Sequence, residues 1–469
     1  MNENARSRVR DLLSGDALLQ LALRGPLGGL FASGLLEQPA LWGMTDVYLP
    51  LARMGAAASV SGESVDEFVS AVPIDAVPAI VRVGLALTLA AFDQARIASE
   101  RAERDWEAAF FSKGDPADAD LARIEGERMR RSHALILQRL GFAPVLLQQR
   151  VPAVRFELPQ PEDVEAIYGP FRDTPWLAFA PPDAMPVVEQ SHRFATKIGF
   201  DYWLRFPTPS KRIGGTAWAR VHEPRDAADA PTLIFGNGVF IEFDHVRYAS
   251  EDVGEMVRSG VRVIEIESPW HGRRAEPGFY GGEPFFARAP LSGLDLMSAQ
   301  AQEIAVLTDW CRRRSQGRVG LGGVSMGALA TLVAASHSVH WPEALRPDML
   351  SLITFCDRID ELPFTSALAQ RTGLDKAMPK AGWTRELAAR WKPFSEPEGA
   401  PGVPPEAIVA VLGVEDEVTP FAWAQDQVTQ WHVPQENLFL RKGGHFSTPL
   451  GLTRDDRPRQ RIVELLKGS

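Results

Sequence analysis

The sequence predicts an α/β fold: a mostly parallel sheet with helices on both faces, joined to a helical N-terminal region. Three observations carry that prediction. From about residue 194 onward, short apolar and β-branched runs alternate with helix-period segments, the pattern that builds strands joined by crossover helices. One such run, Arg318-Val-Gly-Leu-Gly-Gly-Val324, turns through Ser325 into a small-residue helical run. The first 141 residues instead hold long stretches rich in Ala, Leu, Glu and Arg without internal proline.

Within the N-terminal region, residues 1–141, helices are predicted at 80–111 and 121–140. Pro116 and Asp118 open the second and Gly141 closes it, and Lys113-Gly-Asp-Pro116 between them is turn chemistry. The apolar stretch 18–42 is cut by Arg24-Gly-Pro26 and Gly28-Gly29. It reads either as a bent helix pair docking on another domain or as a membrane-surface segment. Residues 142–193 form a connector in which nine prolines prevent any long helix. Its Phe171, Trp176, Leu177 and Phe179 are expected to bury themselves on a neighbour. Across 194–469, strands are predicted at 195–206, 216–222, 231–235, 261–266, 318–324, 349–355, 407–412 and 437–440. Helices are predicted near 247–259, 294–314, 326–338, 422–431 and 459–467. The 294–314 helix is amphipathic, with Met297, Ala301, Ile304 and Cys311 on one face. Residues of about 358–405 interrupt the strand–helix alternation. Trp383, Leu387, Trp391 and Phe394 in this insertion either line an apolar pocket or pack on the N-terminal helices.

A chain of 469 residues, 45% hydrophobic and 23% charged, is ordinary globular material, long enough for two domains or one domain with a large appendage. A net charge of −10 argues against nucleic acid as a main partner. The two cysteines, Cys311 and Cys356, lack metal-ligand spacing and exclude a disulfide framework. They read as small core residues and fit a reduced compartment. The most apolar run, 83–92, is about half the length a bilayer requires, so no transmembrane segment is expected. Glu3, Asp11 and Asp16 among Arg6, Arg8 and Arg10 do not suit a transit peptide, and a cytoplasmic location is expected.

Gly323-Val-Ser325-Met-Gly327 has the G-x-S-x-G form of a nucleophile elbow, a sharp strand-to-helix turn that holds a serine hydroxyl proud of a sheet. Alone, that pattern arises by accident in about one chain in five to ten of this length. Its context adds two residues. Asp416, in Val414-Glu-Asp-Glu-Val-Thr-Pro420, follows a later strand; His445, in Arg441-Lys-Gly-Gly-His-Phe446, follows the last. Ser325 would attack, His445 would take and return its proton, and Asp416 would orient the imidazole and stabilise its charged form. Asp357, just after another strand, is the alternative acid.

This order of serine, acid and histidine resembles the α/β-hydrolase superfamily over residues 195–469. The resemblance implies an α/β-hydrolase fold with the 358–405 insertion as a lid. It also implies an oxyanion hole from the N–H groups of Met326 and Val239, with Gly238 as a second choice. The loop after the 231–235 strand reads Asn237-Gly238-Val239 where the superfamily usually has His-Gly-x. Ser268-Pro-Trp-His-Gly-Arg-Arg274 resembles the P-[WYF]-[HY]-G-x-R loop of a subgroup related to the domain-containing-eighteen type, which also has an S-M-G elbow. The shared positions are Pro269, Gly272 and Arg274. Candidate substrate-binding residues are Asn237, His271, Arg273 and Arg274. The arginines either hold an anionic group through forked hydrogen bonds or anchor the loop to nearby carboxylates, and His271 is either a second active-site group or part of the loop's structure. The expected activity is that of a serine hydrolase, carboxylic-ester-hydrolase-like, cleaving an ester, thioester or related acyl bond of a small molecule through an acyl-enzyme. No metal or organic cofactor is implied. The same residues also serve C–C-bond hydrolases and acyltransferases, and a non-catalytic scaffold on this fold is the reading from another class.

Overall fold

Among the described residues one sheet of ten strands forms the centre: β1 (Glu189–Gln190), β2 (Phe194–Ala195), β3 (Gly199–Pro207), β4 (Thr216–Pro224), β5 (Thr232–Gly236), β6 (Arg262–Glu267), β7 (Val319–Val324), β8 (Met349–Ile353), β9 (Ile408–Gly413) and β10 (Leu438–Arg441). The computed structural model describes residues 34–72, 74, 79–240, 248–395 and 401–468. The spatial order is β1-β3-β4-β6-β5-β7-β8-β9-β10, with β2 also on β3. Strand β4 runs antiparallel to both β3 and β6, and the run β6-β5-β7-β8-β9-β10 is parallel throughout. This is an α/β-hydrolase fold with a helical N-terminal region. Because β5 lies between β6 and β7, the chain leaves it first to one side and later to the other. The loops after β5 and β7 therefore diverge and open a crevice at the carboxyl ends of the strands, where ligands of such sheets bind.

The helices that position the site are α1 (Glu37–Trp42), α2 (Leu49–Ser61), α3 (Ala79–Phe110), α4 (Asp118–Gln138), α5 (Tyr248–Arg258), α6 (Leu291–Arg312), α7 (Met326–His337), α8 (Phe421–Gln430) and α9 (Arg457–Lys467). Successive residues of the central strands serve opposite faces, as the pleat requires. Ile234, Ile264, Leu350 and Ala410 pack with α6 and α7, while Leu233, Val263, Met349 and Val409 pack with α5 and α9. Strands buried on both faces read as continuous apolar runs, which is why the sequence marks them clearly.

Helix α6 departs from its expected amphipathicity. Met297, Ala301, Ile304 and Cys311 do face the core, but Asp295, Gln300 and Glu303 are buried too. The Pro-rich segment crosses the helix's outer side, where Tyr168 donates to Asp295 (2.8 Å) and Ser298 donates to the Ala178 carbonyl (2.5 Å). Phe179 is fully buried, stacked on His337 with ring centroids 4.2 Å apart, and Trp176 stacks on His340 at 4.5 Å. Leu177, expected to be covered, is 53% exposed. The aromatic residues of the 358–405 insertion pack in neither expected place. Phe394 meets Tyr168 and Phe179 at 5.7 and 6.2 Å, and the Trp383 indole donates to the Pro159 carbonyl (2.8 Å), so these residues hold down the Pro-rich segment.

The N-terminal helices have a core of their own, with Leu51, Met54, Phe68, Leu85, Leu89, Phe92 and Phe142. Of the apolar stretch 18–42, the part before residue 34 lies outside the described residues. Helices α3 and α4 pair as a hairpin and dock on β3 and β4 through Trp106, Phe110, Leu121, Trp203 and Trp218. Among the described residues no helix is long and apolar enough to cross a membrane.

Candidate active site

Ser325 sits where β7 turns into α7, with φ 55° and ψ −121°, a conformation that costs a non-glycine residue energy. Neighbouring contacts hold it there: its N–H donates to the Ile353 carbonyl, and its own carbonyl accepts from Leu329 N–H, both at 3.0 Å. The glycines of the motif let α7 press onto the sheet. A Cβ at Gly327 would lie 2.2 Å from the carbonyl carbon of Gly236. Phe240, Trp270 and Thr354 also have positive φ, so the chain just beyond β5, β6, β7 and β8 is strained at one end of the sheet. Such clustering marks functional sites.

The imidazole of His445 bridges Ser325 and Asp416. Its Nε2 lies 2.9 Å from Ser325 Oγ and its Nδ1 2.9 Å from Asp416 Oδ2. Nδ1 facing a carboxylate is the donor, which leaves Nε2 of the neutral ring as acceptor for the serine proton. The acid is rigid: Val418 and Thr419 N–H groups donate to Asp416 Oδ1, each at 2.9 Å, and the Thr419 hydroxyl donates to Oδ2 at 2.8 Å. Burial disfavours the charged form of His445, but the Asp416 carboxylate, its hydrogen bond and the more distant charge of Glu37 outweigh it. The pKa is held above 6.5. Asp357 lies instead against the Gln427 amide of α8. The Cys356 thiol is fully buried and pushed well above its ordinary range, by burial first and then by the nearby Asp357 carboxylate, so it stays protonated.

Above Ser325 opens a cavity with an almost wholly apolar wall. Val239 comes from the loop after β5, Phe285 and Phe286 from the loop after β6, and Leu362, Leu368 and Leu374 from the 358–405 insertion. Ser325, Ser366 and Thr419 supply the hydroxyls. Met326 and Val239 border the cavity; Gly238 and Asn237 do not. Asn237 is buried and turns its amide toward Glu265 Oε1 (3.5 Å).

His271 and the two arginines are occupied internally. The Nδ1 of His271 faces the Pro269 carbonyl (2.9 Å) and Nε2 accepts from Phe240 N–H (3.3 Å), so this buried ring ties the loop after β6 to the loop after β5. Arg274 forms a forked pair with buried Glu303 at 2.8 and 2.9 Å. Arg273 pairs with Glu103 of α3 (2.6 Å) and with Glu267 (3.0 Å), its guanidinium 4.5 and 4.3 Å from the Trp106 and Trp203 rings. Both guanidinium groups thus face carboxylates of neighbouring elements. Thr419 escaped sequence reasoning, although a small hydroxyl residue three positions after an acid is a recognisable side-chain-to-backbone turn. Arg53 escaped it as well. It forms a buried ion pair with Glu283 (2.7 Å) that docks α2 against the cavity-lining loop, and nothing local in the sequence signals so distant a partner. Among the described residues, no group of three or more His, Cys, Asp or Glu side chains is arranged to hold a metal ion.

Residues 243–357 match the family model described as alpha/beta hydrolase domain containing 18. The match spans β6, α6, the elbow, α7 and β8, and ends before Asp416 and His445. No curated protein sequence matches the chain. Solved structures similar to it include acetyl xylan esterase 1 from Thermoanaerobacterium sp. JW/SL YS485, at 16% identity and TM-score 0.44 over 66% of this chain and 96% of that one. An S-formylglutathione hydrolase from Agrobacterium tumefaciens gives 16% identity and TM-score 0.39 over 59% and 98%. An esterase from Pyrobaculum calidifontis gives 12% and 0.36 over 64% and 92%.

Proposed function

We propose that this protein is a serine hydrolase that cleaves an ester, thioester or related acyl bond through an acyl-enzyme. The observation that carries the reading is the continuous hydrogen-bonded line from Ser325 Oγ through both nitrogens of His445 to Asp416 Oδ2. As Ser325 Oγ attacks the carbonyl carbon, His445 Nε2 takes its proton and Asp416 stabilises the imidazolium. The carbonyl oxygen, now an oxyanion, is received by the N–H groups of Met326 and Val239 at the N-terminal end of α7, where the helix dipole also favours negative charge. Collapse breaks the bond to the leaving group, which takes the proton from His445. Water then attacks the acyl-enzyme by the same sequence, restoring Ser325.

The cavity wall supports an apolar acyl group as the part of the substrate that is recognised. It offers few partners for a polar one, and burying each methylene contributes about 0.8 kcal/mol. With p-nitrophenyl esters, kcat/KM should therefore rise about fourfold per methylene over the first few added to an acetyl group, with a burst of p-nitrophenol equal to the enzyme concentration whenever deacylation is slow. Turnover that persists in Ser325→Ala, or that is indifferent to acyl length, contradicts this reading.

A further inference from the structure

The histidine loop is held from outside the sheet. Glu37, at the start of α1, accepts from Phe446 N–H (2.8 Å), Ser447 N–H (3.2 Å) and the Ser447 hydroxyl (3.0 Å), from a position 409 residues earlier in the chain than Phe446. These two N–H groups begin the short helix Ser447–Gly451, whose first amides have no partner within the helix. The close approach needs Gly444, because a Cβ there would lie 2.4 Å from the Glu37 carboxyl carbon. The same segment reaches the other loops of the site. Gln38 donates to Glu417 beside the acid (3.1 Å), Tyr48 donates to the Phe240 carbonyl after β5 (3.4 Å), and Asp46 pairs with Arg371 of the insertion (3.3 Å).

We propose that Glu37 is a positioning residue for His445, and that segment 37–48 is thereby a working part of the active site. The proposal rests on the triad reading. Glu37 fixes the backbone on both sides of the position following His445 and so sets where the imidazole stands. Its second effect is electrostatic. Among the described residues the charges that face the ring are Asp416, from the loop after β9, and Glu37, from α1; the elbow contributes the neutral Ser325 hydroxyl. A second negative charge favours the imidazolium, the form His445 takes during the attack.

The test is the pH profile of kcat/KM on a p-nitrophenyl ester for the full-length protein and for Glu37→Gln and Glu37→Ala, with melting temperatures alongside. Glu37→Gln keeps an acceptor but removes the charge. Its acid limb should move about half a pH unit downward, with the fold retained. Glu37→Ala should show the same displacement together with a larger fall in plateau kcat, KM changing little. A residue of merely structural importance lowers the plateau or the melting temperature and leaves the limb in place, so coincident acid limbs in all three proteins overturn the proposal. If the wild type turns over no ester and no serine-directed probe labels it, the hydrolase reading has failed. The Glu37 proposal is then still read from an NMR titration of the His445 ring, where an unmoved midpoint in Glu37→Gln sinks it.

Discussion

His445 is buried, yet protonation comes easily to it, because the carboxylate on its Nδ1 outweighs the cost of burying charge. That has a signed consequence. On the proposed mechanism only the neutral ring accepts the serine proton, and the folded pKa lies above 6.5, so activity should be full at alkaline pH and be lost as pH falls through a value above that of a free histidine. The two aspartates after neighbouring strands separate at the same scale. Asp416→Asn removes the acceptor that fixes the tautomer of His445 and should cost about 10⁴-fold in kcat. Asp357→Asn changes a group that rests on Gln427 and should cost less than about tenfold. Steady-state kinetics of the two variants decides between them, and the reverse order removes Asp416 from its assigned role. Ser325, Asp416 and His445 were legible in the sequence because each follows a strand and brings its own local grammar of glycines or turn residues. Glu37 was not, since its partners are fixed only by tertiary contact.

Among the elements, the helical hairpin α3–α4 is fastened to the loop after β6 by Arg273. Arg273 reaches Glu267 beneath it and Glu103 on α3, and lies over three tryptophans, with a side chain 12% exposed. Removing one member of a buried ion pair leaves the other charged and poorly solvated, so Arg273→Ala should lose about 3 kcal/mol of stability in chemical denaturation. Glu103, which is 34% exposed, should lose less than about 1 kcal/mol on truncation. Equal losses would mean that the hairpin, and not the Glu267 pair, carries the anchoring. The arginine pair drew attention in the sequence as a possible anion site. Two adjacent arginines after a strand look the same in sequence whether they face a ligand or buried carboxylates; the partners Glu267 and Glu303 decide, and they come from other elements. The strands and long helices, by contrast, follow from local periodicity, and β5 through β9 stand within about two residues of their expected bounds.

For the molecule as a whole, the segments outside the sheet do more than cover it. The N-terminal segment touches the histidine, acid and β5 loops. The Pro-rich segment lies over α6 and α7, pinned by the insertion's aromatic residues, while the insertion's leucines form the cavity wall. The mostly parallel sheet and the meeting of Ser325, Asp416 and His445 could be reasoned from the chain in sequence. The packing of these three segments could not, because apolar residues in proline-rich stretches announce burial without naming the surface they bury against. The loops after β5 and β6, the elbow and the insertion meet at the cavity above Ser325. The most direct measurement is therefore labelling by a fluorophosphonate probe, located by peptide mass spectrometry, on wild type and on a Ser325→Ala variant whose fold is confirmed by its melting transition. The account predicts one adduct per chain at Ser325 in the wild type and none in the variant. A wild type that no serine-directed probe labels, or a variant labelled as fast as the wild type, would contradict it.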